Sequence, residues 1–378
     1  MTLEQKIQKA NSLKQEINDI ILEEYLLIKD FFRTAECVTP KHPDKVCDRI
    51  SDAILDLCLS QDPMSRVAVE TMGGHGKLYI LGEITTKAII GNHAINAICK
   101  RIAGQDASEI KLVQQSPEIA QGVDTGGAGD QGIMVGYACN DNEEMIPQEL
   151  YLARSLCKHI YKKHQQDGKT QVTIDQYGNL VTIVASFCHV AKQELEELVK
   201  EWATITPGAT WSSGLGENRK IFCNPAGDWD QGGFEADTGL TGRKLAVDNY
   251  GPGVPIGGGA FSGKDATKVD RSAAYMARRI AVDLLERNKA KEVIVKLAYS
   301  IGIAEPVMAV AEIDGYRTQI NLEKLDGDLS PRNIIESLEL DKPIYEKTAE
   351  WGHFGNGFKW DEKRELRGFP VEVDWPTK

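Results

Sequence analysis

Residues 257–270 read GGGAFSGKDATKVD, which places four glycines, two lysines and two aspartates within fourteen positions. Consecutive glycines let backbone N–H groups converge on an anion, and Lys264 and Lys268 would add positive charge there. Asp265 and Asp270 would repel a phosphate unless a cation such as Mg²⁺ lay between them. The stretch favours a metal-bound polyphosphate, although a flexible loop with an ordinary helix cap explains the same residues equally well.

The residues on either side decide which phosphate-binding fold the stretch can belong to. Segment 258–264 fits the first seven positions of a P-loop, but Asp265 stands where that motif has Ser or Thr. The preceding DNYGPGVPI is too rich in Gly and Pro for the buried strand that a P-loop follows. Apolar residues spaced by three or four from Val269 to Leu284 predict a helix, which Asp265 or Thr267 would cap. The pattern argues against a P-loop fold.

Composition restricts the class of protein. The chain has 378 residues, enough for two or three domains, with 42% hydrophobic residues and a formal net charge of −12. Such a charge argues against a general nucleic-acid or membrane-surface binder, since those proteins need a basic face. The eight cysteines form no C-x-x-C pair, which predicts buried free thiols in a reducing compartment. Without an eighteen-residue apolar run or a signal peptide, we expect a cytoplasmic protein.

Helical and strand patterns alternate along the chain and predict a mixed α/β protein of three related modules. Helices are predicted at 1–32, 43–61, 89–102, 148–164, 192–202, from 269 onward and at 331–338, the last before a polar tail. Strands are predicted at 66–72, 77–86, 132–138, 171–175, 180–190, 220–224 and 244–250, with two more in 292–313 joined near Gly302 to Pro306. The long polar stretch 104–129 is expected to be a mobile lid.

Several shorter motifs carry weaker signals. GAGDQG at 127–132 matches a dinucleotide-binding fingerprint, but a strand follows it where a helix is required, so Asp130 is a carboxylate on a glycine-flanked turn. His42-Pro43-Asp44 opens a predicted helix, whose N-terminus favours anions. Taken alone, that tripeptide reads more simply as a cap by Asp44 with a solvent-facing His42. The chain contains no H-E-x-x-H, G-x-S-x-G or spaced Cys/His quartet, which removes the commonest hydrolase and zinc sites.

Taken together, five motifs give a much stronger signal than any one of them. They are HPDK at 42–45, GEITT at 82–86, GAGDQG at 127–132, DTGLTGRK at 237–244 and GGGAFSGKD at 257–265. In order and spacing they resemble the S-adenosylmethionine synthetase (methionine adenosyltransferase) family, from about Thr34 through GHFG at 352–355.

The resemblance implies an α+β fold of three similar modules, each a mixed β-sheet with helices, around a pseudo-threefold axis. The implied divisions are a helical extension at 1–32, an N-terminal module at 33–125 with the lid at about 104–129, a central module at 126–230 and a C-terminal module at 231–378. Family members pair into homodimers with active sites between subunits, and often into tetramers. The implied reaction joins L-methionine to ATP: the thioether sulfur attacks C5′, and the departing triphosphate is hydrolysed to pyrophosphate and phosphate.

Matching positions imply the site residues. ATP contacts are assigned to His42, Asp167, Lys169, Trp229, Asp237, Arg243, Lys244, Ala260 and Lys264, of which His42, Lys169, Arg243 and Lys264, with Lys268, would act in catalysis. Methionine contacts are assigned to Glu83, Gln115, Asp130, Asp237 and Lys268. The implied cofactors are two Mg²⁺ ions, held by Asp44 and Asp270, and K⁺ held by Glu70.

Three departures from the family pattern bear on this assignment. Pro40-Lys41 replaces the usual Glu-Gly, Asp228 to Gln231 replace Arg-Phe-Val-Ile, and the lid is shorter. These changes put lid closure and nucleotide affinity in question. A catalytically silent nucleotide-binding subunit would be favoured if the altered residues spoil lid closure, and a Mg²⁺-dependent phosphoryl transferase is a second alternative.

Overall fold

The computed structural model describes Lys9 and residues 32–116, 126–212, 220–320 and 328–363. Most of the predicted leader helix, the 117–125 portion of the predicted lid and the tail after residue 363 lie outside these described residues.

Helices and strands alternate through the described residues. The strands are β1 Arg33–Val38, β2 Arg66–Gly74, β3 Lys77–Thr85, β4 Glu109–Val113, β5 Gly132–Cys139, β6 Gly168–Ile174, β7 Leu180–Phe187, β8 Lys220–Cys223, β9 Gly239–Leu240, β10 Glu292–Tyr299, β11 Met308–Ile313 and β12 Tyr316–Gln319. The α-helices are α1 Pro43–Leu59, α2 Asn92–Ala103, α3 Gln148–Lys163, α4 Lys192–Ile205, α5 Leu245–Asp248, α6 Val269–Asn288, α7 Pro331–Leu338 and α8 Tyr345–Trp351.

The strands form three four-stranded sheets, which confirms the predicted mixed α+β class. Their strand orders are β1-β6-β7-β8, β4-β3-β2-β9 and β12-β11-β10-β5. No sheet comes from one continuous piece of chain: β1 pairs antiparallel with β6, and β5 with β10. The predicted module boundaries and the pseudo-threefold axis stay predictions.

Helices cover one face of each sheet. Helices α3 and α4 pack on the first sheet, α1 on the second and α6 on the third. The predicted apolar positions of α6, Val269 through Leu284, are fully buried. Helix α6 lies directly on β5 because Gly136 has no side chain: a Cβ there would stand 2.0 Å from the Ala277 carbonyl carbon.

Some local predictions are wrong for identifiable reasons. Residues 244–250 were expected as a strand, but 245–248 form the helical turn α5, and so short an alternation of apolar residues fits either structure. The strand expected at 180–190 ends at Phe187, because His189 adopts a left-handed φ of 56°. Strand β4 lies inside the stretch expected as a lid.

The prediction of a polar tail after residue 338 is also wrong for residues 339–363. This segment contains α8, and Trp360 beyond it is buried, stacked on Tyr275 with ring centroids 3.8 Å apart.

The eight cysteines are all buried and unpaired, as predicted. Within the described ranges, no helix combines the length and apolar character that a bilayer crossing needs.

Candidate active site

Helix α1 begins at the first part of the site. His42 is its N-cap, and the ring Nδ1 accepts a hydrogen bond from the Asp44 backbone N at 3.2 Å. His42 is also buried, so the simple expectation of an Asp44 cap with a solvent-facing His42 is wrong on both counts. Burial, and next the charge of Lys244, lower the pKa of His42 to about 4. The ring is therefore neutral near pH 7, with its proton on Nε2.

Asp44 ties the start of α1 to the 237–244 loop. One carboxylate oxygen accepts from the Leu240 backbone N at 3.0 Å, and the other from Lys244 Nζ at 2.6 Å. Arg243 Nε lies 3.5 Å from Asp44 Oδ1. Burial alone would raise the pKa of Asp44, but the hydrogen bonds from Lys244 and Leu240 outweigh burial and lower that pKa. Asp44 is therefore a buried anion with cations on one side.

The start of β6 brings two further predicted residues beside His42. The Thr39 backbone N donates to the Gly168 carbonyl at 2.9 Å, which sets Asp167 and Lys169 next to the α1 N-terminus. Asp167 Oδ2 accepts from the Gly233 backbone N at 2.8 Å, whereas the buried Oδ1 has no hydrogen-bond partner within the part of the chain that the structure describes. Burial raises the pKa of Asp167. An orphaned carboxylate oxygen of this kind fits a ligand donor such as a ribose hydroxyl or a base amine.

Lys169 and Asp237 complete this part of the site and are more exposed. Lys169 Nζ lies 3.4 Å from Glu36, with about half of its side chain exposed. Asp237 Oδ1 accepts from the neighbouring Thr238 backbone N at 2.7 Å. Both charges act on the pKa of His42, so both lie within electrostatic reach of its ring. We call His42, Asp44, Asp167, Lys169, Asp237, Arg243 and Lys244 the α1 group.

The unusual 228–231 segment lies at the edge of the α1 group. Trp229 is half-buried, and its carbonyl accepts from the His189 backbone N at 2.9 Å. Asp228 accepts from the backbone N of Lys192 at 2.9 Å, in the first turn of α4, and Asp230 lies 3.2 Å from the ring of His189. Asp228 and Asp230, which differ from the family pattern, therefore hold the 228–231 segment against α4 and His189.

The 257–270 segment forms the second part of the site. Lys264 Nζ donates to Asp270 Oδ2 at 2.7 Å, at the start of α6. Gly259 lies so close that a Cβ on it would stand 2.1 Å from Asp270 Cγ. Ala260 lies beside this pair and contacts the other loop: a Cβ on Gly242 would be 2.5 Å from Ala260 Cβ. The two glycine-containing loops therefore meet.

Asp265 has a structural role that its position in the motif did not reveal. Its carboxylate accepts from the backbone N of Val67 at 2.6 Å and of Thr267 at 2.9 Å. It also pairs with Lys268, which is itself the N-cap of α6 and makes no side-chain capping bond. The expectation that Asp265 or Thr267 caps α6 is wrong, and Asp265 anchors the segment to β2.

Two more predicted residues lie on the outer face of β2 and β3, and a third follows β4. Glu70 is exposed, and Glu83 is half-buried opposite Ala68, which also bridges to Lys264. Gln115 is buried just after β4, and among the described residues its Oε1 has no hydrogen-bond partner, so this oxygen also suits a ligand donor.

Asp130 sits on the turn before β5, where Oδ1 accepts from the Gln131 backbone N at 2.8 Å. A Cβ on the next residue but one, Gly132, would lie 3.5 Å from Asp270 Oδ1. We call Glu70, Glu83, Gln115, Asp130, Ala260, Lys264, Lys268 and Asp270 the α6 group.

The two predicted metal carboxylates lie in different groups. Among the residues that the structure describes, no three His, Cys, Asp or Glu side chains come together as a preformed metal site. Mg²⁺ commonly uses only one or two protein carboxylates and takes its remaining ligands from phosphate and water. Asp44 and Asp270, each next to a lysine, fit that mode of binding.

Sequence reasoning missed three residues that hold the site together. Asp48 accepts from the Gly242 backbone N at 2.8 Å, and Asp52 accepts from the Gly263 backbone N at 2.7 Å. Arg271 pairs with both oxygens of Asp52 and donates to the Lys264 carbonyl. The available signal was the four-residue spacing of aspartates along α1, which puts them on one face.

Comparison with known families covers nearly all of the described chain. Three family models match consecutive segments: the S-adenosylmethionine synthetase N-terminal domain at residues 30–125, the central domain at 125–229 and the C-terminal domain at 231–362.

Individual relatives agree with the family models. A protein of Brachyspira hyodysenteriae named S-adenosylmethionine synthase is 39% identical over 389 residues, covering 90% of this chain and 98% of the relative. A protein of the same name from Petrotoga mobilis is 40% identical and covers 90% and 99%. One from Pelagibacter ubique is 39% identical and covers 89% and 97%.

Proposed function

Because the chain belongs to the S-adenosylmethionine synthetase family, as its motifs predicted, we propose that it makes S-adenosylmethionine from L-methionine and ATP. The methionine sulfur attacks C5′ of ATP and forms the sulfonium of S-adenosylmethionine, and the C5′–O bond breaks so that the whole triphosphate leaves. Water then cleaves the triphosphate to pyrophosphate and phosphate.

One observation carries the mechanism: each of the two loops, which contact each other at Gly242 and Ala260, carries a lysine paired with a carboxylate. Lys244 lies 2.6 Å from Asp44, and Lys264 lies 2.7 Å from Asp270. With a metal-bound triphosphate in the site, Asp44 and Asp270 would each face a cation, and Lys244 and Lys264 would each face a phosphate oxygen. Both pairs can therefore exchange partners when the nucleotide binds, without leaving a charge uncompensated.

The proposed chemistry needs no general base. A thioether has no proton to lose, so catalysis consists of aligning sulfur, C5′ and the leaving oxygen and of neutralising the departing charge. At an effective dielectric near 20, one cation about 4 Å from one phosphate charge contributes roughly 4 kcal/mol before desolvation. A neutral His42, whose Nε2–H is a donor, suits a hydrogen bond to the leaving oxygen.

The remaining residues divide between the substrates. We assign ATP to Asp167, Lys169, Trp229, Asp237, Arg243, Lys244, Ala260 and Lys264, and methionine to Glu83, Gln115, Asp130, Asp237 and Lys268. The orphaned oxygens of Asp167 and Gln115 support one assignment for each substrate.

Metal ions would complete the site. Asp44 and Asp270 would hold Mg²⁺, which supplies positive charge to the triphosphate, and Glu70 would bind K⁺. Since Asp44 and Asp270 belong to different groups, we propose that each contributes to its own ion.

We further propose a homodimer with the active site shared between subunits, and leave a tetramer as a further assembly. The outer face of β2, β3, β4 and β9 exposes Met72, Leu81, Val113 and Leu240 by between 37% and 50% each. Apolar residues on a sheet face beside Glu70 and Glu83 suit burial against a second copy. The acidic chain and its free thiols favour a cytoplasmic location.

Product analysis tests the function. The purified full-length chain is incubated with ATP, L-methionine, Mg²⁺ and K⁺, and the products are separated by liquid chromatography with mass detection. We expect the sulfonium product with equimolar pyrophosphate and phosphate. Adenosine diphosphate with a phosphorylated acceptor would favour a phosphoryl transferase, and ATP binding without turnover would favour a silent subunit. Lys264→Ala and Asp270→Asn should abolish product formation while the circular dichroism spectrum stays unchanged.

A further inference from the structure

Four aspartates lie on one face of α1, because residues spaced by four fall above one another on a helix. Each carboxylate accepts a hydrogen bond from a backbone N–H of another segment. The contacts are Asp44 with Leu240 N at 3.0 Å, Asp48 with Gly242 N at 2.8 Å, Asp52 with Gly263 N at 2.7 Å, and Asp56 with Tyr345 N at 2.9 Å and Glu346 N at 2.8 Å.

The two middle contacts are made to glycines at positions where a side chain would be strained. Gly242 and Gly263 have left-handed φ angles of 83° and 81°. A Cβ on Gly263 would lie 1.9 Å from the Val69 carbonyl oxygen, and one on Gly242 would lie 2.5 Å from Ala260 Cβ. The left-handed backbone directs each N–H at α1, where Asp48 and Asp52 receive it.

Removing the carboxylates of Asp48 and Asp52 from water costs free energy, and the formation of helix α1 does not compensate for that cost. Asp48 and Asp52 are about as buried as any residue of the core. Lys45 Nζ lies 3.5 Å from Asp48 but donates its hydrogen bond to Asp248 at 2.6 Å, whereas Arg271 binds both oxygens of Asp52 at 2.7 and 2.8 Å. A buried charge pair is seldom better for stability than apolar residues of similar size, so its retention calls for another reason.

We propose that Asp48 and Asp52 are positioning residues: Asp48 holds the 237–244 loop, and Asp52 holds the 257–264 loop, at neighbouring levels of α1. Four residues of helix, about 6 Å along the axis, separate the two levels. Arg243 and Lys244 are thereby fixed relative to Lys264, so the cations around the triphosphate keep one spacing. The catalytic consequence rests on the proposed function, whereas the loop anchoring does not.

The test compares Asp48→Ala with Asp48→Asn, and uses Asp56→Ala as the matched control. Asn keeps an acceptor oxygen for Gly242, and burial already raises the pKa of Asp48 to about 7, so a neutral side chain is tolerated. Asp56 sits on the same helix face but holds the start of α8. Should Asp48→Ala fail to fold, Asp48→Ser, whose shorter side chain cannot reach Gly242, takes its place.

The first readout is amide hydrogen exchange of the full chain without ligands. We expect Asp48→Ala to speed exchange in 237–244 at least about tenfold and to leave 257–264 unchanged, with Asn restoring the slow rate. Replacing the Asp52 and Arg271 pair together, as Asp52→Ala with Arg271→Met, should speed exchange in 257–264 only. Asp56→Ala should lower the melting temperature without changing exchange in either loop.

The second readout is steady-state kinetics. Asp48→Ala should lower kcat/KM for ATP by about 10- to 100-fold, with rescue by Asn and no change in Asp56→Ala. Unchanged exchange at 237–244 in Asp48→Ala would overturn the proposal even if S-adenosylmethionine forms normally, as would an equal kinetic loss in Asp56→Ala. A wild-type chain that makes no sulfonium product would instead refute the proposed function, whatever the exchange rates show.

Discussion

Adding one methyl group at Gly259 should remove activity without unfolding the protein. The new Cβ would lie 2.1 Å from Asp270 Cγ and 2.3 Å from both carboxylate oxygens. Ordinary contact begins at 3.4 Å, so the carboxylate must move by about 1.3 Å. A shift of that size lengthens the 2.7 Å ion pair between Asp270 and Lys264 to about 4 Å, where it ceases to be a close pair.

The expected loss follows from this displacement. Misplacing a catalytic group by about 1 Å costs on the order of 100-fold in rate, equivalent to about 2.7 kcal/mol of transition-state stabilisation. We therefore expect Gly259→Ala to lower kcat about 100-fold. Because Asp270 is proposed to hold Mg²⁺, the Mg²⁺ concentration giving half-maximal rate should also rise.

Gly258 provides the matched control in the adjacent position. A Cβ on Gly258 meets no atom of the described residues within 4 Å, and neither glycine has a left-handed φ, so the backbone conformation at both positions is compatible with alanine. The assay measures sulfonium formation against Mg²⁺ concentration for both variants, with melting temperatures recorded in parallel. If Gly259→Ala and Gly258→Ala both turn over within twofold of the wild type, the position of Asp270 does not govern the reaction.

Three other perturbations have defined outcomes. Burial and then Lys244 lower the pKa of His42 to about 4, whereas an unfolded histidine titrates near 6.5, so the free energy of unfolding should fall as pH drops from about 6.5 to about 4. His42→Gln should flatten that part of the urea-unfolding profile, and an unaltered profile would contradict the burial argument. Arg271→Met leaves the buried Asp52 without its partner and should cost about 3–5 kcal/mol in urea unfolding, a loss that the double replacement with Asp52→Asn should largely recover. Asp167→Asn should raise KM for ATP more than it lowers kcat, and an unchanged KM would remove Asp167 from the nucleotide site.

Patterns that repeat along a single element were predicted well. The apolar spacing from Val269 to Leu284 gave α6, and the proline at the start of α1 gave its first turn. Even there, the cap was misassigned: His42 caps α1 with its own ring, and its burial depends on residues far away in the chain.

Contacts between distant segments could not be predicted from local patterns. The hydrogen bonds from Gly242 to Asp48 and from Gly263 to Asp52 span 194 and 211 residues. Asp265 likewise anchors to Val67, 198 residues away. The 257–270 motif predicted which residue types occur in the site. Tertiary packing decides which of the carboxylates face the ligand and which hold the backbone.

The interleaving of strands among the three sheets has a consequence for how the chain folds during synthesis. Strand β1 cannot form its sheet hydrogen bonds until β6 has been synthesised. Strand β5 likewise cannot pair until β10 emerges from the ribosome, about 150 residues later. The third sheet cannot close until β10 has been made, so the edge of β5 stays exposed while about 150 further residues are translated. Fragments ending before β10 should aggregate, and the rate of folding should be limited by this late, long-range pairing.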